Sequence, residues 1–384
     1  MNALTDRLAA ARKRRVATQM HRNDRPLTGL DLASNDYLSL SQHPQVRAAA
    51  IQAIDNFGTS ARASRLVTGT TEAHHALEAA LAQRMHHPCC VTFSSGYMAN
   101  LAAVTTLASP DTLIISDAHN HASLIDACRL TKATVRIVAH NDTVAVEAAL
   151  AQRDQPEALV VVESVYSVLG DAADLPTLSE LCARYDAMLL VDEAHGLGIA
   201  GTGDNSGLGT STELTGYRDR LVVTATLSKA LGSQGGAVLG SELIRDAVVN
   251  TARTFIFDTG LAPASAAAAH AALELITADR VADMASTRAQ LATALEVPFP
   301  AGAVLSVPMP SPETGVRARE LLRQEGILVG CFRPPSVLDG ITRLRCTARA
   351  GLSDTERDRA CTRIPAIIGD CLALAPEGSR ELNS

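Results

Sequence analysis

The chain has no excess of positive charge. Its 34 lysines and arginines stand against 41 acids, a formal net charge of −7, whereas a nucleic-acid binder needs a net basic face for phosphate. No apolar run reaches membrane-spanning length, so no membrane span is expected. Eight cysteines are present, but none form a C-x-x-C pair, and Cys89 and Cys90 are adjacent. With no secretory signal, the expectation is reduced thiols in a cytoplasmic protein. His74, His75, His86 and His87 belong to no motif, no cluster has metal-ligand spacing, and no metal is expected. Tryptophan is absent too, yet 47% hydrophobic and 20% charged residues are ordinary for a soluble enzyme. A chain of 384 residues can bury a large core, enough for one sizeable domain and a smaller one.

What is present is a rhythm. Short β-branched apolar runs occur at 89–95, 112–118, 134–140, 158–165, 187–194, 221–228 and 236–240, with helical patterns such as TEAHHALEAALAQRM and LPTLSELCARYD between them. Runs without alternation are strands buried on both faces, and the repeat predicts a three-layer α/β/α domain around a mostly parallel sheet. Its ligands should gather at the carboxyl ends of the strands. After about residue 280 the pattern changes to VLSVPMP, PETGVRARELLRQEG, TRLRCTA and a last helix from Ser353, whose capping box uses Glu356. That predicts a smaller α+β C-terminal domain, with Pro298, Pro300 and Gly302 near the boundary. The organisation expected is an N-terminal arm and helix at 1–45, a large domain at 46–280 and a small one at 281–384. Arg7, Arg12, Lys13, Arg14, Arg15, Arg22 and Arg25 face only Asp6 and Asp24. An organellar presequence has this bias; the expectation is instead a solvated amphipathic helix packed on the body, because DLASNDYL from Asp31 already looks folded. No internal repeat is found, and the Ala-rich helix at 263–274 is the only biased tract.

The stretch LLVDEAHGLGIAG, Leu189 to Gly201, admits three readings. VDEAH resembles the Mg²⁺-binding motif of a helicase, but the necessary G-x-x-x-x-G-K-[ST] loop is excluded because Gly-Lys occurs nowhere in the chain. GLGIAG fits a dinucleotide fingerprint, but that fingerprint must follow its strand directly and open a helix. Here Asp-Glu-Ala-His intervenes, and GTGDNSGLGTST is too rich in glycine to be helical. The third reading is an Asp at a strand end pairing with a protonated ring nitrogen. It gains a partner in LVVTATLSKALGSQGG, where Lys229 follows another buried strand. Such an amine can form a Schiff base with a carbonyl cofactor, and a protonated ring is an electron sink. Hydroxyls at Thr226 and Ser228, and the FSSGYMAN turn with Ser95 and Gly96 before a helix, suit a phosphate. Pyridoxal 5′-phosphate is the cofactor these pieces describe together.

The segments LASNDYLSLSQHP, SRLVTG, FSSGYMAN, SDAHNHASLIDACRL, ESVYSVLGDAADL, LLVDEAHGLG, TATLSKALGSQGG, FIFDTGLAP, CFRPPSV and TRLRCTA run through nearly the whole chain. In them the chain resembles the α-oxoamine synthases, fold-type I pyridoxal-phosphate transferases. The resemblance implies that Lys229 carries the cofactor and moves protons at the substrate Cα, and that Asp192 pairs with the ring nitrogen. It puts His195 near the phenolic oxygen, His121 on the ring face, and Ser167 within hydrogen-bonding reach. Ser95, Gly96, Tyr97 and Thr226 would surround the phosphate, with Thr259 reaching in from a second subunit of a homodimer. Asn35, Ser336 and Arg345 would handle substrate, Arg345 as the carboxylate clamp, and Arg22 is the candidate among the N-terminal arginines.

The implied reaction is a decarboxylative condensation of an amino acid with an acyl thioester. HGLG after the Asp and the SRLVTG and RPPSV pair favour L-alanine with pimeloyl-CoA or pimeloyl-acyl carrier protein, the biotin branch. Glycine with acetyl-CoA or succinyl-CoA, serine with a long acyl-CoA, and a catalytically silent scaffold subunit are the alternatives. Three positions depart from the family pattern. Arg62 and Ala63 stand in a loop usually rich in glycine, Ser39 replaces the glycine after NDYL, and Ser336 replaces a threonine. A position that needs positive φ strains any residue but glycine.

Overall fold

The computed structural model describes residues 2–374 apart from 19, 23, 25, 335, 336 and 338. In chain order the elements are α1 (Ala3–Ala17), β1 (Leu30–Asp31), α2 (Pro44–Phe57), α3 (Glu72–Arg84), β2 (Cys89–Phe93), α4 (Gly96–Leu107), β3 (Thr112–Asp117), α5 (Ala122–Leu130), β4 (Thr134–Val138) and α6 (Thr143–Ala151). The large sheet is completed by β5 (Glu157–Glu163), β6 (Met188–Asp192), β7 (Leu221–Thr226) and β8 (Gly236–Gly240), with α7 (Leu175–Arg184) between the first two. There follow α8 (Glu242–Thr251), α9 (Arg253–Ile256), α10 (Pro263–Glu274) and α11 (Ala278–Ala294). The chain then runs through β9 (Val304–Pro308), α12 (Pro312–Gln324), β10 (Ile327–Leu328), β11 (Gly330–Phe332), β12 (Arg343–Thr347) and α13 (Asp354–Ala373).

Seven strands form one sheet in the order β2-β8-β7-β6-β5-β3-β4, parallel except for β8, which runs antiparallel to both neighbours. Alternate residues of each strand enter different cores. Leu113, Ile115, Val160, Val162, Leu189 and Val191 pack on one face; Ile114, Leu159, Val161, Leu190 and Val222 pack on the other. The two apolar faces are the physical cause of the three layers. The edge strand β4 departs from the expected two-sided burial: Val135 is 39% and Ile137 69% exposed. At the opposite edge β2 is buried beneath α3 and α8, whereas β4, packed on α6, keeps an open outer side.

The smaller sheet is antiparallel, in the order β11-β12-β9. The N-terminal β1 forms a separate two-stranded parallel sheet with β10, through Leu30–Ile327 and Asp31–Leu328. The Ser353 and Glu356 capping box is formed at the start of α13. The N-terminal helix corrects the sequence expectation. It forms, but buries none of its residues, and Leu4, Leu8 and Val16 are about half exposed. Only three large apolar residues in fifteen, the others being alanine or polar, give it too little apolar surface to dock. Among the described residues, no helix is long and apolar enough to cross a membrane.

Two of the three departures from the family pattern have a backbone consequence. Ser39 has φ of 53° and Arg62 of 66°, both in the left-handed region that favours glycine. The Ser39 hydroxyl offsets part of its strain by donating to the Ala350 carbonyl at 2.6 Å. Just beyond Arg62, Arg65 is buried and donates to both Glu78 carboxylate oxygens, at 2.8 and 3.2 Å, and to the Thr92 hydroxyl at 2.8 Å. The ion pair ties the SRLVTG turn to α3, and the bond to Thr92 ties it to β2.

Candidate active site

Parallel strands deliver their following loops to one edge of the sheet. The direction of winding reverses where β3 pairs with both β4 and β5, and a crevice opens at that point. Asp192 ends β6, Lys229 follows β7, His121 follows β3, Ser167 follows β5 and Ser95 follows β2. Five of the residues singled out in the sequence therefore share one edge.

Lys229 Nζ lies 2.8 Å from His195 Nε2. Burial pushes the amine down to about 8; the charges of Asp192 and Glu163 oppose the shift and Arg345 adds to it. His195 is buried, and that burial, helped by the charges of Lys229, Arg345 and His121, holds its imidazole well below the usual range. The result is a neutral ring against an amine that deprotonates near physiological pH, as a nucleophilic lysine requires.

Asp192 is 4% exposed. Its Oδ1 accepts from the Ala194 N–H at 2.9 Å and its Oδ2 from Asn100 Nδ2 at 2.7 Å. Asn100 also donates to Ser123 Oγ at 2.8 Å, and Ser123 Oγ lies 2.7 Å from His121 Nδ1. The carboxylate is thereby connected to the imidazole that caps α5. His121 presents its ring to a cavity of about 370 Å³ whose lining includes His119, Tyr166, Ser167, Leu169 and Phe332. Beside Asp192, in register on β5, stands Glu163. Paired positions of neighbouring strands project to the same face. Burial and the charge of Asp192 push the Glu163 carboxyl up to about 8.

The other end of the site is a cradle. Ser95 caps α4 by accepting from the Met98 N–H at 3.2 Å. Thr226 Oγ1 and Ser228 Oγ are 2.7 Å apart beside it. A Cβ on Gly96 would lie 3.0 Å from Thr226 Cβ, and one on Gly236 2.6 Å from Gly96 Cα. Only glycines allow the helix end and the hydroxyls to meet so closely, which suits an anion. Tyr97 contributes its backbone N–H to this first turn, while its phenol is exposed and donates to Asp126.

From the smaller sheet Arg345, buried on β12, donates through Nε to the Ser167 carbonyl at 2.9 Å. Its Nη1 and Nη2 both donate to Asn35 Oδ1 at 3.2 Å. The guanidinium lies over Phe332, 5.3 Å from the ring centroid. Of the other residues singled out, Arg22 is exposed between α1 and β1, Thr259 is exposed after α9, and Ser336 lies outside the described residues. Three others were overlooked: Tyr37, Asn100 and Glu163. Each sits in a motif already quoted, NDYL, FSSGYMAN or ESVYS, as a polar group in a buried setting, and that was the available signal. His74 is structural, its Nδ1 2.9 Å from the Thr71 hydroxyl and its Nε2 2.7 Å from the Leu261 carbonyl.

An amine, a buried carboxylate, two imidazoles and an anion cradle at opposite ends of one crevice fit a flat phosphorylated pyridine. The comparisons agree with that fit. Residues 28–364 match the model of the family described as aminotransferase class I and II. The chain is 51% identical over 334 residues to an 8-amino-7-oxononanoate synthase of Mycolicibacterium gilvum, covering 86% of this chain and 87% of that one. It is 50% identical over 359 residues to the enzyme of the same name from Mycolicibacterium vanbaalenii, with 92% of each covered. Among solved structures, serine palmitoyltransferase of Sphingomonas wittichii superposes with a TM-score of 0.88 at 27% identity, over 97% of this chain and 99% of that one. An 8-amino-7-oxononanoate synthase from Francisella tularensis superposes with a TM-score of 0.74 at 26% identity, over 90% and 98%.

Proposed function

The chain belongs to the aminotransferase class I and II family, and we propose that its reaction is that of its curated relatives. L-Alanine and a pimeloyl thioester, carried by CoA or by acyl carrier protein, condense to give 8-amino-7-oxononanoate, CO₂ and the free carrier thiol, a step of biotin synthesis. The observation that carries this is the identity of about 50% over most of the chain, joined to a half-buried Lys229 in contact with a buried His195 beside Asp192. Pyridoxal 5′-phosphate is the cofactor, and when bound its protonated ring draws off charge developing at the amino-acid Cα.

Each side chain then has a task. Lys229 would anchor the cofactor and move the proton at the substrate Cα; burial keeps its amine able to release a proton near neutral pH. Asp192 would hold a proton on the ring nitrogen. His121 would cover one ring face, and His195 and Ser167 would flank the phenolic oxygen. Ser95, Gly96, Tyr97, Thr226 and Ser228 would hold the phosphate, with Thr259 supplied by the other copy of a homodimer. Exposure of Phe257 and Thr259 on the same loop supports that last assignment. Arg345 and Asn35 would take the alanine carboxylate, a bidentate task that suits a guanidinium. Ser336 and Arg22 are the candidates for the acyl partner. The division into an N-terminal arm at 1–45, a large domain at 46–280 and a small one at 281–384 belongs to the same reading. The small domain would bring Arg345 to a cofactor held by the large one.

The test is a panel of pimeloyl, acetyl, succinyl and palmitoyl thioesters against alanine, glycine and serine, following product and CO₂. One methyl group is worth about 1 kcal/mol, so alanine should exceed glycine only about tenfold. A site that hydrogen-bonds the far carboxyl of the acyl chain discriminates far more. Preferred use of serine with palmitoyl-CoA would move the chain to the activity named for its structural neighbour.

A further inference from the structure

We propose that Tyr37 is a positioning residue that sets the tautomer of His195, holding Nε2 as the hydrogen-bond acceptor that faces Lys229. The inference rests on the reading of Lys229 as the working amine. It comes from counting protons along one continuous chain of contacts. Arg345 can only donate, and both its Nη atoms point at Asn35 Oδ1 from 3.2 Å. The Asn35 amide must therefore present its oxygen there. The same oxygen lies 3.0 Å from the Tyr37 hydroxyl, and two oxygens at that distance need a proton between them. Tyrosine has one, and it goes to Asn35. The Tyr37 oxygen is then left to accept, and its neighbour at 2.7 Å is His195 Nδ1. Nδ1 accordingly carries the imidazole proton, and Nε2, 2.8 Å from Lys229 Nζ, is bare.

Solvent does not interrupt this sequence, since Tyr37 is 0% and His195 4% exposed. Nor is the ambiguity removed by protonating the ring twice. The charged groups facing His195 are Lys229 after β7, Arg345 on β12 and His121 at the start of α5, and all three disfavour an imidazolium. Asp192 and Glu163 act on Lys229 from the other side. Tyr37 itself is pinned: the Ala350 N–H donates to its carbonyl at 2.8 Å, and Asp36 accepts from the Leu40 N–H at 2.9 Å. A bare Nε2 favours the charged ammonium, because an ammonium donates to it more strongly than a neutral amine does. The tautomer thus sets the pH at which Lys229 becomes nucleophilic, and it sets where that amine points when it holds a proton.

Tyr37→Phe keeps the ring and removes the hydroxyl. Two measurements on the full chain test the proposal. Nitrogen-15 NMR of histidine-labelled protein, with the His195 signals assigned by their loss in His195→Gln, reads which ring nitrogen is protonated. The pH profile for capture of added pyridoxal phosphate, trapped with borohydride, reads the midpoint of Lys229. Wild type should show protonated Nδ1. Tyr37→Phe should shift the proton wholly or partly to Nε2 and lower the capture midpoint by about one pH unit. Asn35→Leu should do the same with the hydroxyl intact, because Tyr37 then donates to Nδ1. Asn35→Asp, which keeps the acceptor, should retain the wild-type tautomer. An unchanged tautomer in Tyr37→Phe and Asn35→Leu would overturn the inference. Borohydride labelling of a lysine other than Lys229 would instead overturn the functional reading, and the tautomer measurement would still stand by itself.

Discussion

Asp192→Asn separates the charge of the site from its shape. The new amide can still accept from the Ala194 N–H, now 2.9 Å from Oδ1. At the other oxygen an NH₂ replaces an acceptor and faces the Asn100 NH₂ across 2.7 Å. Two donors cannot share that contact. Asn100 can relieve it by rotating its amide, since its own Oδ1 is buried without a partner. Rotation then points the Asn100 oxygen at Ser123, whose hydroxyl is drawn away from His121. The exchange of one hydrogen-bond pattern for a poorer one should cost the fold about 1 kcal/mol. The effect on rate is much larger. Loss of a buried charged partner for the ring nitrogen removes about 3–5 kcal/mol, which is roughly two to four decades in kcat. The assay is turnover of L-alanine with pimeloyl-CoA, with cofactor content from visible absorbance and thermal melting measured on the same preparation. A variant that melts like wild type, holds a full complement of cofactor and retains near-normal kcat would refute the reasoning.

Other substitutions probe separate parts of the structure. Lys229→Ala should abolish turnover and borohydride-trapped attachment while cofactor still binds through the α4 cradle; Lys229 is one of only three lysines in the chain, so peptide mapping gives a clear answer. His140, bonded to Asp117 at 2.9 Å and Asp171 at 2.8 Å, is raised from 6.5 to about 9; burial opposes the shift, and the two carboxylates outweigh it. The folded chain therefore keeps a proton that the unfolded chain releases. The contribution is complete below pH 6.5 and lost as pH rises through about 9, at most about 3 kcal/mol before solvent screening. Urea unfolding at several pH values should show that slope in wild type and not in His140→Gln. Arg62→Gly should raise stability by about 0.5–1 kcal/mol by removing left-handed strain, whereas Ser39→Gly should gain less because it gives up the bond to Ala350; melting curves decide between them. Sedimentation of the cofactor-loaded protein should show a dimer, and an active monomer at working concentration would contradict the assignment of Thr259.

Much of this architecture is legible in local sequence because its cause is local. An apolar run buried on both faces carries no alternation, and the seven runs found that way are the seven strands of the large sheet. The Ala-rich tract at 263–274 coincides with α10, and Ser353 with Glu356 marks the start of α13, because caps and helix propensity act over a few residues. The strain at Ser39 and Arg62 was foreseeable for the same reason, a missing glycine being a backbone fact. The exposure of β4 was not foreseeable. Its sequence resembles that of the inner strands, and its edge position depends on which strands pair elsewhere.

The site divides along the same line. Asp192 and Lys229 were found because each lies at the end of its own apolar strand. The parts that tune them come from far along the chain: Tyr37 meets His195 from 158 residues away, and Arg345 meets Asn35 from 310 away. What joins them is the two-residue strand β1, too short to show any periodicity, which ties the NDYL loop to β10. A pairing of that length gains little from its own hydrogen bonds, and its register is held by the buried side chains around it, Leu30 and Leu32 among them. The smaller sheet then carries Arg345 to the same point on β12. The groups proposed to handle substrate thus converge on an edge built by other strands, so their geometry depends on how the N-terminal loop seats against the C-terminal sheet. A substitution at that seat, such as Leu32→Ala at 0% exposure, should disturb the Asn35 and Arg345 contact before it disturbs Lys229 or Asp192. The expected signature is a raised KM for alanine with cofactor binding intact; equal loss of both would mean that the two halves of the site are not separable.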